Sequence, residues 1–242
     1  MPGLARKAKI PLPPEYAAVL AGRMAHHALG LARKEGGTLP ASAERPCSRP
    51  LAGPVLPPDG SGAPEMQRFA ASARLTIDQV PGDFNPAELL PAFNTNPAFL
   101  QASGHSPEFS LGEVQAYLLE ETQRENSCCL LIRLRETHRT IGTAALLVPK
   151  PSDGLPWIGL LILESLYQGG GLGAEATLAI EARLALGGWP SIRLYVLQEN
   201  SKAIGFWRKL GYELGAETQD SSGRPSWLME KRIFPESQLR GG

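Results

Sequence analysis

The 242-residue chain balances 24 basic against 24 acidic residues and is 43% hydrophobic, which gives no electrostatic footprint for nucleic acid or an anionic membrane surface but is enough for a sizeable core. It has no run of 18 apolar residues, so no segment is expected to span a bilayer. The cysteines are odd in number (Cys47, Cys128 and Cys129), as suits a reducing cytoplasm, and Cys128-Cys129 with a lone His138 lacks the spacing of a zinc site, so no metal is expected.

Residues 1–65 hold 11 of the 22 prolines and eight glycines, a composition that argues against a packed domain and predicts a disordered N-terminal extension. Within it, Pro14 to Glu35 has helical character but sparse apolar positions, and such a helix is marginal without a surface to pack on. Arg23, His26 and His27 interrupt any apolar stretch that a secretory signal would need. The globular domain is expected over residues 66–236, with a flexible tail over 237–242. Removing residues 1–65 should therefore leave the melting curve essentially intact. A large drop in melting temperature would show instead that Pro14 to Glu35 docks on the domain.

From Arg74 the pattern turns globular. Arg74 to Val80 alternates as a first strand, and Asn85 to Phe99 carries short helical patches interrupted at Pro91 and Pro97. Ser110 to Arg124 opens with a Ser-x-x-Glu capping box and reads as a helix. Cys128 to Leu134 and Thr140 to Pro149 read as strands around a polar turn, and Trp157 to Glu164 as a buried central strand. Glu175 to Leu186 is Ala/Leu-rich with only Glu175, Glu181 and Arg183 charged, which predicts a helix buried on most of its circumference. Ser191 to Gln198 is a strand, Lys202 to Leu210 a helix, and Tyr212 to Thr218 with Ser226 to Lys231 a closing hairpin.

Between the central strand and the Ala/Leu-rich helix lies Tyr167-Gln168-Gly169-Gly170-Gly171-Leu172-Gly173-Ala174. Glycines there let the backbone turn sharply and approach a ligand, while the first N–H groups of the following helix lack intrahelical partners and sit at the positive end of its dipole. A phosphate or pyrophosphate is the expected guest. A P-loop is excluded, because Ala174 and Glu175 stand where Lys and Ser/Thr should follow the glycines. A dinucleotide fingerprint can be drawn through Gly171, Gly173 and Ala176, but no acidic residue falls between Leu186 and Gln198 to hold a ribose. The third pattern is Gln/Arg-x-x-Gly-x-Gly/Ala, matched by Gln168, Gly171 and Gly173.

One helix and one strand later, Ala203, Phe206, Trp207 and Leu210 make one apolar helical face, with Asn200 or Ser201 as its cap and Gly211 as its stop. Asn200, Ala203, Phe206, Trp207, Lys209, Gly211 and Tyr212 together give Asn-x-x-Ala-x-x-Phe-Trp-x-Lys-x-Gly-Tyr. The Gly loop and this second pattern, in this order and spacing, resemble the acetyl-CoA signatures of the GNAT superfamily of N-acetyltransferases. The resemblance covers roughly residues 72 to 234. It implies an α/β fold of the α+β kind, a central mixed β-sheet flanked by helices.

The same resemblance implies acetyl-CoA as cosubstrate and direct transfer of the acetyl group to a primary amine of a small molecule or peptide; a monomer or homodimer is expected, and the charge balance and lack of a long apolar run predict neither a nucleic acid nor a membrane partner. Backbone N–H groups from Gln168, Gly169, Gly170, Gly171, Leu172, Gly173 and Ala174 would hold the pyrophosphate. Leu161, Ile162 and Leu163 on the splayed central strand would grip the pantetheine and the thioester carbonyl. Asn200, Ala203, Phe206 and Trp207 would line the cofactor arm. Glu164 is the candidate general base because it ends the central strand, where the acyl group should lie; it equally suits an acid that binds the substrate ammonium. Trp207 stands where members that use a tyrosine acid often carry it, and an indole N–H is not a useful proton donor. Tyr195 and Tyr212 are the nearest tyrosines, Tyr212 being expected in the core. His105, Phe93 and Phe109 lie in the segment expected to meet the acceptor. The alternative activity is a catalytically silent acyl-CoA-binding module.

Overall fold

The computed structural model describes residues 67–233 except 82, 104–107 and 221–222. The expectations for the extension, the tail, His105 and the tip of the last hairpin lie outside the described residues. The elements are β1 (Arg68–Ala71), β2 (Leu75–Gln79), a 3₁₀ turn (Pro86–Leu89), α1 (Leu90–Asn94), α2 (Pro97–Ser103), α3 (Leu111–Gln123), β3 (Ser127–Leu134), β4 (Thr140–Leu147), β5 (Trp157–Leu163), a 3₁₀ turn (Ser165–Tyr167), α4 (Leu172–Leu186), β6 (Ser191–Leu197), α5 (Ser201–Lys209), β7 (Glu213–Gln219) and β8 (Pro225–Arg232). The α3 capping box forms as its sequence predicts: Ser110 Oγ accepts from the Glu113 N–H, and Glu113 Oε2 accepts from the Ser110 N–H at 2.7 Å. Pro91 and Pro97 fall at helix starts, where a missing N–H costs nothing, so they separate helices rather than break one.

The strands form one eight-stranded mixed sheet in the order β1-β2-β3-β4-β5-β6-β8-β7. Every neighbouring pair is antiparallel except β5 and β6, which are parallel and joined through α4. Alternation along β3 shows how the two faces are filled. Cys128, Leu130 and Ile132 belong to one core with Leu172, Ala176, Ile180 and Leu184 of α4 and Trp207 of α5. Cys129 and Leu131 belong to the opposite core, with Leu89, Phe93, Phe109, Val114 and Tyr117 from the helical segment. A strand covered on both faces reads as a continuous apolar run, which is what Cys128 to Ile132 is. Phe93 and Phe109 are therefore core, their ring centroids 5.2 Å apart, and do not line a pocket.

Helix α5 ends as its Gly predicts. Gly211 has φ +90°, its N–H bonds to Arg208 O, and the Tyr212 N–H bonds to Trp207 O, the paired pattern of a left-handed helix stop. On β4, Gly142 faces Leu163 of β5 so closely that an added Cβ would lie 2.2 Å from Ile162 O and 3.0 Å from Leu163 Cα. Both neighbours are backbone. Gly142→Ala is expected to push β5 off β4 and cost about 1–3 kcal/mol, read as a lowered denaturation midpoint. A midpoint equal to that of the wild type would show that this close approach is not required.

Candidate functional site

Strands β5 and β6 pair only at Trp157 with Arg193 and Ile158 with Leu194, and then diverge. From Gly159 onward β5 keeps its antiparallel partner β4 but has no β6 neighbour, which opens a wedge in the middle of the sheet. The Glu164 N–H donates to Ile141 O of β4, whereas Leu163 O accepts from side chains on the other side. Since backbone groups alternate in direction along a strand, Leu161 and Leu163 turn theirs toward the wedge and Ile162 turns its toward β4. Of the three strand residues expected to grip a thioester arm, the first and last therefore aim their N–H groups into the wedge, and Ile162 does not.

The wedge widens onto the glycine loop. Helix α4 starts at Leu172, earlier than its Ala/Leu-rich stretch suggests, so Leu172, Gly173 and Ala174 form its first turn and present unpaired N–H groups. Its N-cap is Gly171 at φ +81°, and Gly169 has φ +82°, a backbone region that favours glycine. A Cβ on Gly169 or Gly170 would meet nothing within 4 Å, so both lie open. At Gly173 a Cβ would lie 3.6 Å from Phe206 Cε2 and 3.7 Å from Leu163 Cδ1. The first motif, the end of the central strand and the second motif thus converge on one point.

Around the second motif, Asn200 caps α5, its Oδ1 accepting from the Ala203 N–H at 3.0 Å. Trp207 is buried edge-on against Phe206 and Tyr212, with centroids 4.9 and 5.1 Å away. Ala203 and Phe206, half-buried, are the members of this face that pack at the rim of the core.

Gln168 does not present the backbone donor expected of it, because its N–H bonds to Ser165 O at 3.1 Å, and its side chain turns back onto the strand rather than toward the loop. Its Nε2 donates to Leu163 O at 2.9 Å and to Asn96 Oδ1; Asn96 Nδ2 in turn donates to Leu163 O at 2.9 Å. Thr95 Oγ1 accepts the Ser165 N–H at 2.9 Å. The turn between α1 and α2 is in this way fastened to the end of β5. Beside it, buried Glu164 places Oε2 2.8 Å from Arg139 Nη2, and the Arg139 guanidinium stands 5.4 Å from the Tyr167 ring centroid. Asn96, Thr95 and Arg139 were not legible as site residues; their partners lie 67, 70 and 25 positions away.

Glu175, in the first turn of α4, has both oxygens engaged. Oε1 accepts from Ser72 Oγ and the Arg74 N–H, each at 2.7 Å, and Oε2 from Arg74 Nε at 2.6 Å. Partial burial works against the charged form, but these hydrogen bonds and the Arg74 charge outweigh it and hold the carboxyl below its usual range.

The two tyrosines separate clearly. Tyr212 is buried, and burial first, with the Glu181 carboxylate second, pushes its phenol far up, which suits a core residue. Tyr195 is 41% exposed on β6, one residue past the last β5–β6 pair, with its ring centroid 4.5 Å from that of Trp157. Cys128 and Cys129 are buried thiols; burial pushes Cys129 up to about 12, which removes it as a nucleophile. Among the described residues no helix is long and apolar enough to cross a membrane, and no cluster of three His, Cys, Asp or Glu could hold a metal ion.

A search of curated proteins finds no match. Among solved structures, a GCN5-related N-acetyltransferase from Brucella melitensis superposes with a TM-score of 0.59 at 13% identity, covering 70% of this chain and 80% of its own. A ribosomal L7/L12 alpha-N-protein acetyltransferase in complex with coenzyme A gives a TM-score of 0.56 at 17% identity, covering 69% and 98%. An acetyltransferase from Salmonella typhimurium that modifies the N-terminal serine of L7/L12 gives 0.56 at 16%, covering 69% and 99%. These likenesses show a shared fold. The acetyltransferase (GNAT) domain family model matches residues 74–213. That match runs from the start of β2 past the Gly211–Tyr212 helix stop, so it takes in the wedge, the glycine loop and the helix packed against them, and the chain belongs to the GNAT acetyltransferase family.

Proposed function

We propose that this acetyltransferase moves the acetyl group of acetyl-CoA to a primary amine by direct attack within a ternary complex. The observation that carries this reading is the convergence of Gly173, Leu163 and Phe206 where the wedge between β5 and β6 opens onto the N-terminus of α4. The open glycines and the first turn of α4 offer backbone N–H groups to a diphosphate. The unpaired stretch of β5 offers strand-like hydrogen bonds to the amides of an extended pantetheine arm. At its Leu161 or Leu163 N–H, a carbonyl oxygen gaining negative charge would be stabilised without reorganisation of solvent.

Glu164 is the proposed proton acceptor for the attacking ammonium, directly or through one water, with Arg139 holding its carboxylate in place. The departing thiolate takes its proton from water or from the amine it leaves behind, because Trp207 is not a useful acid and Tyr212 is sealed in the core. The acceptor would enter over the α1–α2 turn and the β7–β8 hairpin. A thiol-release assay with acetyl-CoA against an amine panel tests the reading; protein N-terminal amines belong in that panel, since one structural neighbour modifies an N-terminal serine. Turnover with any amine supports transfer. Tight acetyl-CoA binding with no turnover across the panel would favour a silent acyl-CoA-binding module.

A further inference from the structure

A helix N-terminus that receives a diphosphate draws on unpaired N–H groups and a positive dipole end, and an acidic side chain in the same turn works against both. Here that residue is Glu175, one turn from the Gly171 cap. Its partners come from about a hundred positions earlier, from the β1–β2 hairpin. Arg74 contributes twice, through its own N–H and through Nε, and its guanidinium has a third attachment: Nη1 donates to Gly170 O at 3.2 Å. Nη2 lies 3.6 Å from where a Gly171 Cβ would be, so the guanidinium flanks the loop itself. The hairpin is steadied in turn by Arg135, whose N–H donates to Arg74 O and whose Nη1 donates to Ser72 O, both at 2.9 Å.

The Gly170 contact has a geometric consequence. In a trans peptide the C=O and the following N–H point in opposite directions. Tying Gly170 O to Arg74 therefore turns the Gly171 N–H away from the guanidinium and toward the open side of the loop.

We propose that Arg74 is a positioning residue for the CoA diphosphate: it cancels the Glu175 charge at the α4 N-terminus and fixes the Gly170–Gly171 peptide so that the Gly171 N–H faces the anion. This rests on the acetyl-CoA reading above.

The test is calorimetric titration of CoA into the full chain as wild type, Arg74→Met, Arg74→Lys and the double variant Arg74→Met/Glu175→Gln, each with its melting curve. Arg74→Met uncovers a carboxylate beside the diphosphate and should weaken CoA by about tenfold or more. The double variant, which removes that carboxylate charge as well, should recover most of the loss. Arg74→Lys keeps the charge and should stay nearer to wild type than to Arg74→Met, which serves if the Met variant melts too early to titrate. Unchanged affinity in folded Arg74→Met overturns the proposal, as does a double variant as weak as the single or a Lys variant as weak as the Met variant. Wild type that fails to bind CoA removes the cofactor reading, and this inference with it.

Discussion

Gly171→Val is expected to fold, to lose some stability and to bind CoA at least about tenfold more weakly than the wild type. Gly171 holds φ +81° as the cap of α4, a region that costs an L-residue about 1–2 kcal/mol and a β-branched one more. The loop can relieve that strain only by rotating the peptides whose N–H groups would meet the diphosphate. The new side chain would also start 3.6 Å from Arg74 Nη2 and disturb the contact that orients Gly170. Gly171→Ala introduces the strain with less bulk and should fall between the two. Gly173→Val acts differently, because its Cβ would meet Phe206 and Leu163 at ordinary contact distance while its γ-methyls would press them apart. Calorimetry with CoA, set beside melting curves, separates the loss of site from the loss of fold. Unchanged CoA affinity in a folded Gly171→Val protein would remove the loop from the site.

How far the sequence could be read follows from how local each signal is. Helix α5 was legible almost to the residue because its cap, apolar face and stop are all within a dozen positions, and α3 because its capping box is four residues long. Strand β5 was legible as an apolar run, yet nothing in that run records that its pairing with β6 stops after Ile158. The wedge that makes the site is a property of two strands separated by a helix. Strand β1 leaves no signal in the sequence because Arg68–Ala71 buries only Phe69, too little for any periodicity. The first turn of α4 reads as loop because Gly173 and Ala174 look like a continuation of the glycines, yet the helix begins directly after the left-handed Gly171 cap, with Leu172 and Ala176 buried in the core. Gly142 illustrates the same limit, since a lone Gly in a strand signals close approach without naming what approaches.

Glu164→Gln is the sharper test of the chemistry. The substitution keeps the shape of the side chain and an oxygen able to accept from Arg139 Nη2, so the 3₁₀ turn and the end of β5 should hold, and CoA affinity should stay nearly unchanged. If Glu164 takes the proton, kcat falls by about 10²–10⁴-fold and the acidic limb of the pH–rate profile disappears. The geometry sets how that transfer runs. With the developing oxyanion at the Leu163 N–H the carboxylate is one residue away and can reach the amine itself. With it at the Leu161 N–H, three residues up the strand, the separation is about 10 Å at the usual strand rise, and a water must relay the proton. Both routes lose the base in the Gln variant. A fall in kcat of less than about tenfold, with a raised KM for the amine, would instead make Glu164 the group that holds the ammonium by charge, and would pass the base role to solvent. Arg139→Met discriminates further: with its carboxylate no longer held in place, Glu164 should lower kcat if it is the base, and chiefly raise the KM of the amine if it is only an anchor.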